Sequence, residues 1–209
     1  DCVHEGDLTL IEGILDLNGH KLTVTGNLIQ LSGTVLVNGG TLEVQEDYRM
    51  QSRRKSQEAS EEDGETDETY IYGKSSGRLK MLDKRDTVLV RGNFISDSMI
   101  DSTGDLTAGT MEIHGDIQID ASHFDKGFVA SDQHVLVLNG SEGQTVSFGK
   151  SGRTVSRLAN MDIRNTSTDG VAFLSDADHV NAVYVSGNVK DAAEWVDGFI
   201  AIGSPTSFE

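Results

Sequence analysis

Residues 12–31, EGILDLNGHKLTVTGNLIQL, and residues 32–51, SGTVLVNGGTLEVQEDYRMQ, align over twenty positions without a gap. Five positions are identical: Gly13/Gly33, Asn18/Asn38, Gly19/Gly39, Leu22/Leu42 and Val24/Val44. A short period with few invariant residues is the mark of a chain that stacks copies of one small unit. Within each unit, apolar residues alternate in three short runs, as in Leu15-x-Leu17, Leu22-x-Val24 and Leu28 with Gln30. Period-2 alternation puts one set of side chains inside and the other in solvent. Asn18-Gly19 and Gly26-Asn27 separate the runs, and both residue types tolerate the left-handed backbone of a sharp corner. Asn-Gly also favours a hairpin, but a meander does not require three strands in a fixed period. A solenoid does, because each coil must lie on the last at about 4.8 Å.

The unit continues downstream with looser spacing. Gly6–Ile11 matches the last third of it. A third copy runs through Leu79, Met81, Val88, Val90 and Gly92-Asn93-Phe94. The fourth uses Leu106, Ala108, Met111, Ile113 and Gly115-Asp116-Ile117. The fifth uses Val135, Val137, Asn139-Gly140, Val146 and Phe148. Leu158, Met161, Ile163, Val171 and Phe173 form the sixth, and Val183, Val185 and Gly187-Asn188-Val189 the seventh. The expected fold is all-β: a right-handed, single-stranded parallel β-helix of about seven coils, about 20 residues each.

Residues 1–189 are assigned to the solenoid and 190–209 to a C-terminal cap. There, Trp195, Val196, Phe199 and Ile200 suit a short helix or plug over the last coil. The largest insertion spans about 52–74. It opens with Arg53, Arg54 and Lys55 and turns acidic between Glu58 and Glu68. It is read as a solvated excursion whose charges oppose edge pairing. A second excursion, Asp120 to Ala130, carries His123, Phe124 and Phe128, with the aromatics expected to fold back on the rod. The chain starts at Asp1 and enters the repeat midway, so it is read as a processed form or a fragment of a longer protein.

Composition narrows the function. With 34 Asp+Glu against 17 Lys+Arg, the net charge is −17, which argues against binding nucleic acid through phosphates. No apolar run reaches the ~18–20 residues of a helical membrane span, so no membrane insertion is expected. One cysteine, Cys2, excludes an internal disulfide and a cysteine-based zinc site. The 36% of hydrophobic residues is low for a compact globule, yet above the level of a disordered chain.

The best catalytic candidates are Ser167-Thr168-Asp169-Gly170 with Asp176, Asp178 and His179. Two carboxylates on stacked coils suit acid and base across a glycosidic bond. The pattern is similar to that of polygalacturonase-like hydrolases, but Ser167 replaces their Asn and Asp-Ala-Asp their paired Asp. Arg153, Arg157 and Arg164 are the nearby cations. The six histidines lack zinc-site spacing and are read as solvated or turn residues. Asp97, Asp101 and Asp105, spaced by four, are a calcium candidate without the EF-hand pattern. No catalytic, metal or cofactor site is assigned, and the binding residues are left open.

The units LDLNGHKLTVTGNL (15–28) and VNGGTLEV (37–44), with residues 104–116, resemble a right-handed β-helix module of large bacterial secreted and surface proteins. Such modules adjoin adhesin-like repeats and some Rhs-type toxin chains. The resemblance implies an extracellular or cell-surface location and a structural or adhesive role. On this reading a monomeric, non-catalytic module of a longer chain presents its loops to a glycan or a cell-surface protein. The alternative is a polysaccharide lyase or hydrolase acting on acidic glycans.

Overall fold

The Asn-Gly pairs make corners that turn the chain onward. Asn18 and Asn38 sit at φ 46° and 49°, and Gly19 and Gly39 at 80° and 76°. The His20 N–H donates to the Leu17 carbonyl across the first such turn (2.9 Å). Both central residues thus take the left-handed backbone that in hairpins returns the chain along its partner. Here the next strand instead enters a different sheet.

The computed structural model describes residues 1–55, 70–175 and 182–190. Eighteen of their twenty strands form a parallel β-solenoid with three faces, the other two form a separate antiparallel pair, and no helix occurs among the described residues. The first face stacks eight strands: Cys2–His4, Lys21–Val24, Thr41–Val44, Thr87–Val90, Thr110–Ile113, Val135–Leu138, Asn160–Ile163 and Ala182–Val185. The second stacks seven, from Leu8–Leu10 to Val171–Phe173. The third has three, Ile14–Asp16, Thr34–Leu36 and Arg78–Lys80. It then thins to single bridges, Met81 to Leu106 and Leu106 to Ala130.

Paired residues on the first face are offset by 20, 20, 46, 23, 25, 25 and 22 residues. The 46 contains the large insertion. The strict period of 20 therefore holds only for the first two steps, and later coils are longer. Seven steps at about 4.8 Å make a rod roughly 34 Å long.

Leu22, Leu42, Val88, Met111, Leu136, Met161 and Val183 form one inward column of the first face. Val24, Val44, Val90, Ile113, Leu138 and Ile163 form the next, and all six are fully buried. The fifth coil corrects the sequence reading. Its inward residues are Leu136 and Leu138, paired with Met111 and Ile113; Val135 and Val137 occupy the outward positions. VLVL alternates equally well in either register, so only the neighbouring coils decide it.

Corners are tied from coil to coil. Asn27 donates its backbone N–H to Asp7 Oδ1 (2.8 Å), and Asp47 donates to Asn27 Oδ1 (3.1 Å). Asn93 donates to Asp47 Oδ1 (2.8 Å), Asp116 to Asn93 Oδ1 (2.7 Å), and Thr145 to Asp116 Oδ1 (2.7 Å). Asp and Asn alternate along this ladder, so no two carboxylates are stacked as direct neighbours. The preceding residue must often be small: a Cβ on Gly115 would lie 2.6 Å from the Gly92 carbonyl oxygen.

Each acid in the outer row of the first face has a side-chain partner. Glu43, Leu89, Glu112, Val137 and Asp162 share one outward row, so an apolar residue separates each acid from the next. Glu43 meets Lys21 (2.6 Å) and Arg91 (3.4 Å), Glu112 meets His114 (2.8 Å), and Asp162 meets Arg164 (2.6 Å). The Lys21 ammonium holds the Glu43 carboxyl below the usual range.

The insertion at 52–74 is more ordered at its base than the expected excursion. Ser52–Lys55 and Tyr70–Gly73 pair as an antiparallel hairpin. The acidic stretch 56–69 and all but the first residue of the cap expected at 190–209 lie outside the described residues.

Candidate functional site at the corner between the second and third faces

The first and second faces keep register along the rod, so extra residues must accumulate outside them, at the corners and along the thinning third face. One corner takes most of them. Between the second and third faces the second coil needs only residues 31–33. The third coil uses 51–77, and the next ones use 97–105, 120–128 and 149–156. In a solenoid, insertions gathered on one side commonly mark the binding face.

The hairpin at this corner folds back over the second face. The Arg49 guanidinium lies 4.6 Å from the Tyr72 ring centre, and Arg53 lies 4.8 Å from that of Tyr70. Arg53 also reaches Asp7, two coils earlier (3.5 Å). Ile29, in register with Arg49 and pointing outward, is only 1% exposed. An outward isoleucine on a bare sheet would be solvated.

Beyond the hairpin, Gln51, Asp97, Asp120 and Gly149 each follow directly on a strand of the second face. They stack as one row: Asp97 N–H donates to Met50 O (3.0 Å), Asp120 to Ser96 O (2.7 Å) and Gly149 to Ile119 O (2.8 Å). Asp97 is buried, and His123 Nδ1 lies 2.8 and 3.1 Å from its two carboxylate oxygens. Burial raises the Asp97 pKa and the Asp120 charge adds to this, while His123 and Lys74 oppose it. Ser122 places its hydroxyl 2.9 Å from the same imidazole nitrogen and donates its backbone N–H to Asp120 Oδ1 (2.8 Å).

The calcium candidate is taken apart by the fold. Asp97 faces His123, Asp101 accepts from Thr103 N–H (2.9 Å), and Asp105 is held by Arg78 (2.7 Å) and Lys80 (3.6 Å). No group of three or more His, Cys, Asp or Glu suited to a metal ion occurs among the described residues. The catalytic candidates are also dispersed. Asp169 lies exposed at the corner between the first and second faces, where its N–H donates to Ser167 Oγ (3.1 Å). Arg153 and Arg157 belong to the other corner, and Arg157 bonds the Arg153 carbonyl (3.1 Å). Arg164 is engaged by Asp162. Asp176, Asp178 and His179 lie outside the described residues.

Near Asp169 the groups that organise the corner are Asn165 and Gln144, both buried. Asn165 donates to the Gln144 side-chain oxygen (2.8 Å) and to the Glu142 carbonyl (2.8 Å). Gln144 donates to the Ile113 and Gly115 carbonyls of the previous coil (3.1 and 2.6 Å). The histidines are not uniformly solvated either. His114 and His123 sit against carboxylates, and His134 is completely buried. Of the second excursion's aromatics, Phe128 packs edge-on between Phe94 (5.9 Å) and Phe148 (6.2 Å), as expected.

The Asp97–His123 pair escaped the sequence reading because 26 residues separate its members and no motif joins them. The signal was present in the repeat itself. Aligning Phe94 with Ile117 puts Asp97 and Asp120 at the same position of successive coils.

No family model matches the chain, and neither a curated protein nor a solved structure matches it.

Proposed function

We propose that the chain is a non-catalytic recognition module: a stiff solenoid that presents one elaborated corner to a glycan or protein partner at a cell surface or outside the cell. The carrying observation is the unequal growth of the corners. In every coil from the third to the sixth the corner between the second and third faces is longer than the three residues it takes in the first two coils, while the first and second faces stay in register. A rod that served only as a spacer would have no need of that asymmetry. The bacterial surface-protein resemblance of the 20-residue units supports the same reading. It also favours an adhesive role within a longer chain.

A glycan-array screen at physiological salt, with and without calcium, tests the proposal. Selective binding that is lost on mutating the enlarged corner is the expected result. Release of reducing or unsaturated sugars from acidic polysaccharides would overturn it in favour of an enzyme.

A further inference from the structure

The chain contains three Asn-Gly pairs, Asn18-Gly19, Asn38-Gly39 and Asn139-Gly140. Glycine after asparagine leaves the backbone nitrogen unhindered by a side chain, so all three are open by sequence to ring closure onto the side-chain amide. The fold treats them differently. Gly39 donates its N–H to Asp86 Oδ1 (2.5 Å), and the Asn38 side chain donates to Asp16 Oδ1 (3.0 Å). Gly140 donates to Gln144 Oε1 (2.8 Å), and the Asn139 side chain to Glu112 Oε1 (2.9 Å). At the first pair only the Asn18 backbone N–H is bound, to Asp16 Oδ1 (3.0 Å). The Asn18 side chain and the Gly19 N–H have no partner among the described residues, and both residues are exposed.

Space follows the same order. A Cβ at Gly19 would meet nothing within 4 Å, whereas one at Gly39 would lie 2.9 Å from Arg85 Nη2 and one at Gly140 2.5 Å from the His114 carbonyl oxygen. Asn18 and Asn38 share the left-handed backbone, so conformation does not separate those two. Asn18 also turns the first coil, whose strands have a neighbouring coil on one side only among the described residues. Local opening is easiest where fewest bonds must break.

We propose that Asn18 is a site of spontaneous modification to aspartate and isoaspartate, and that the fold protects Asn38 and Asn139 from the same reaction. The Gly19 nitrogen, giving its proton to solvent base, attacks Asn18 Cγ. The bond from Cγ to the side-chain nitrogen breaks, ammonia leaves, and a succinimide ring joins side chain to backbone. Water then opens the ring. Addition at Cγ yields aspartate, and addition at the main-chain carbonyl yields isoaspartate, with no change of oxidation state. Either product sets a new carboxylate beside Asp16, which accepts the residue-18 N–H and ties the corner to Asn38. Isoaspartate also lengthens the main chain at the corner.

The test incubates the full chain in mildly alkaline buffer, folded and in urea, and follows tryptic peptides 1–21, 22–49 and 127–150 by mass spectrometry. Asn18 is the only asparagine in the first of these, which holds no glutamine, so its mass gain is unambiguous. Fragment spectra locate the change in the other two. In the folded chain Asn18 is expected to convert at least about tenfold faster than Asn38 or Asn139, the weight of the hydrogen bonds that must open first at those sites. In urea the three rates should converge. Conversion of Asn38 or Asn139 as fast as Asn18 in the folded chain would overturn the proposal. So would an Asn18 that converts in urea but not in the fold, or a tenfold lead that persists in urea and therefore owes nothing to the structure.

Discussion

His134 is the residue whose chemistry departs furthest from its setting. It is fully buried, neither ring nitrogen has a hydrogen-bond partner, and its closest aromatic neighbour is the edge-on ring of Phe128 at 6.2 Å. Burial alone pushes its pKa down from 6.5 to about 4. The unfolded chain therefore takes up this proton first as the pH falls. The His134 contribution is intact above about pH 6.5 and is lost progressively down to about pH 4. A gap of that size corresponds to a loss on the order of 3 kcal/mol. Denaturant unfolding at several pH values checks this. His134→Leu, which has nothing to protonate, should become more stable than the parent at pH 4.5 relative to their difference at pH 7.5. A constant difference across that range would show that the ring does not stay neutral in the fold. The sequence reading placed all six histidines at the surface, because neither hydropathy nor spacing separates a buried imidazole from an exposed one.

At the scale of elements, the corner ladder and the hairpin make opposite demands on sequence. The ladder needs an acceptor at one position of each coil. Asn93→Ala removes the one used by the Asp116 N–H and should cost about 1 kcal/mol in equilibrium unfolding. Asn93→Asp keeps the acceptor but lines up three carboxylates at 47, 93 and 116. Its smaller loss should shrink as salt is added, because exposed charges are screened. The hairpin depends on its base. Deleting 56–69 and joining the strands with a short turn leaves Arg49, Arg53 and Tyr72 in place, and the melting temperature should barely change. A large drop would show that the acidic stretch takes part in the fold. The parallel coils and their cores were legible in the sequence because Leu22/Leu42 and Val24/Val44 repeat in one register. The hairpin base was not, since RRK and YIY carry no alternation that distinguishes a paired stem from a loop. The fifth coil was misread for a related reason: four apolar residues in a row fit either face.

For the molecule as a whole, the repeat dictates how the charge of −17 is borne. Stacked coils bring equal positions within about 4.8 Å, so a like-charged column would repel itself along its whole length. Asn between Asp in the ladder from Asp7 to Asp116, and Leu89 and Val137 between the acids of the first face, break such columns; Asp97 and Asp120 stack directly, and there His123 sits against the buried Asp97. The same stacking explains why the candidate site was less legible than the fold. A core column follows from any two coils, whereas Asp97 and His123 meet through an excursion whose path only the folded chain defines.

Chain order and coil order coincide, so residues 1 and 190 stand at opposite ends of the rod, and the bonds between faces of successive coils run along its length. Tension applied between those points would not shear many bonds at once. It would peel one coil at a time, like thread from a spool. Each released coil of 20–25 residues would add roughly 70–90 Å of slack. A single-molecule stretching trace should show a series of low, evenly spaced rips. One longer interval is expected where the third coil carries the hairpin and gives up 46 residues together. A single high-force rupture would mean that the coils yield as one body. A module that yields in small steps would lengthen under load while the coils still wound kept their corner intact.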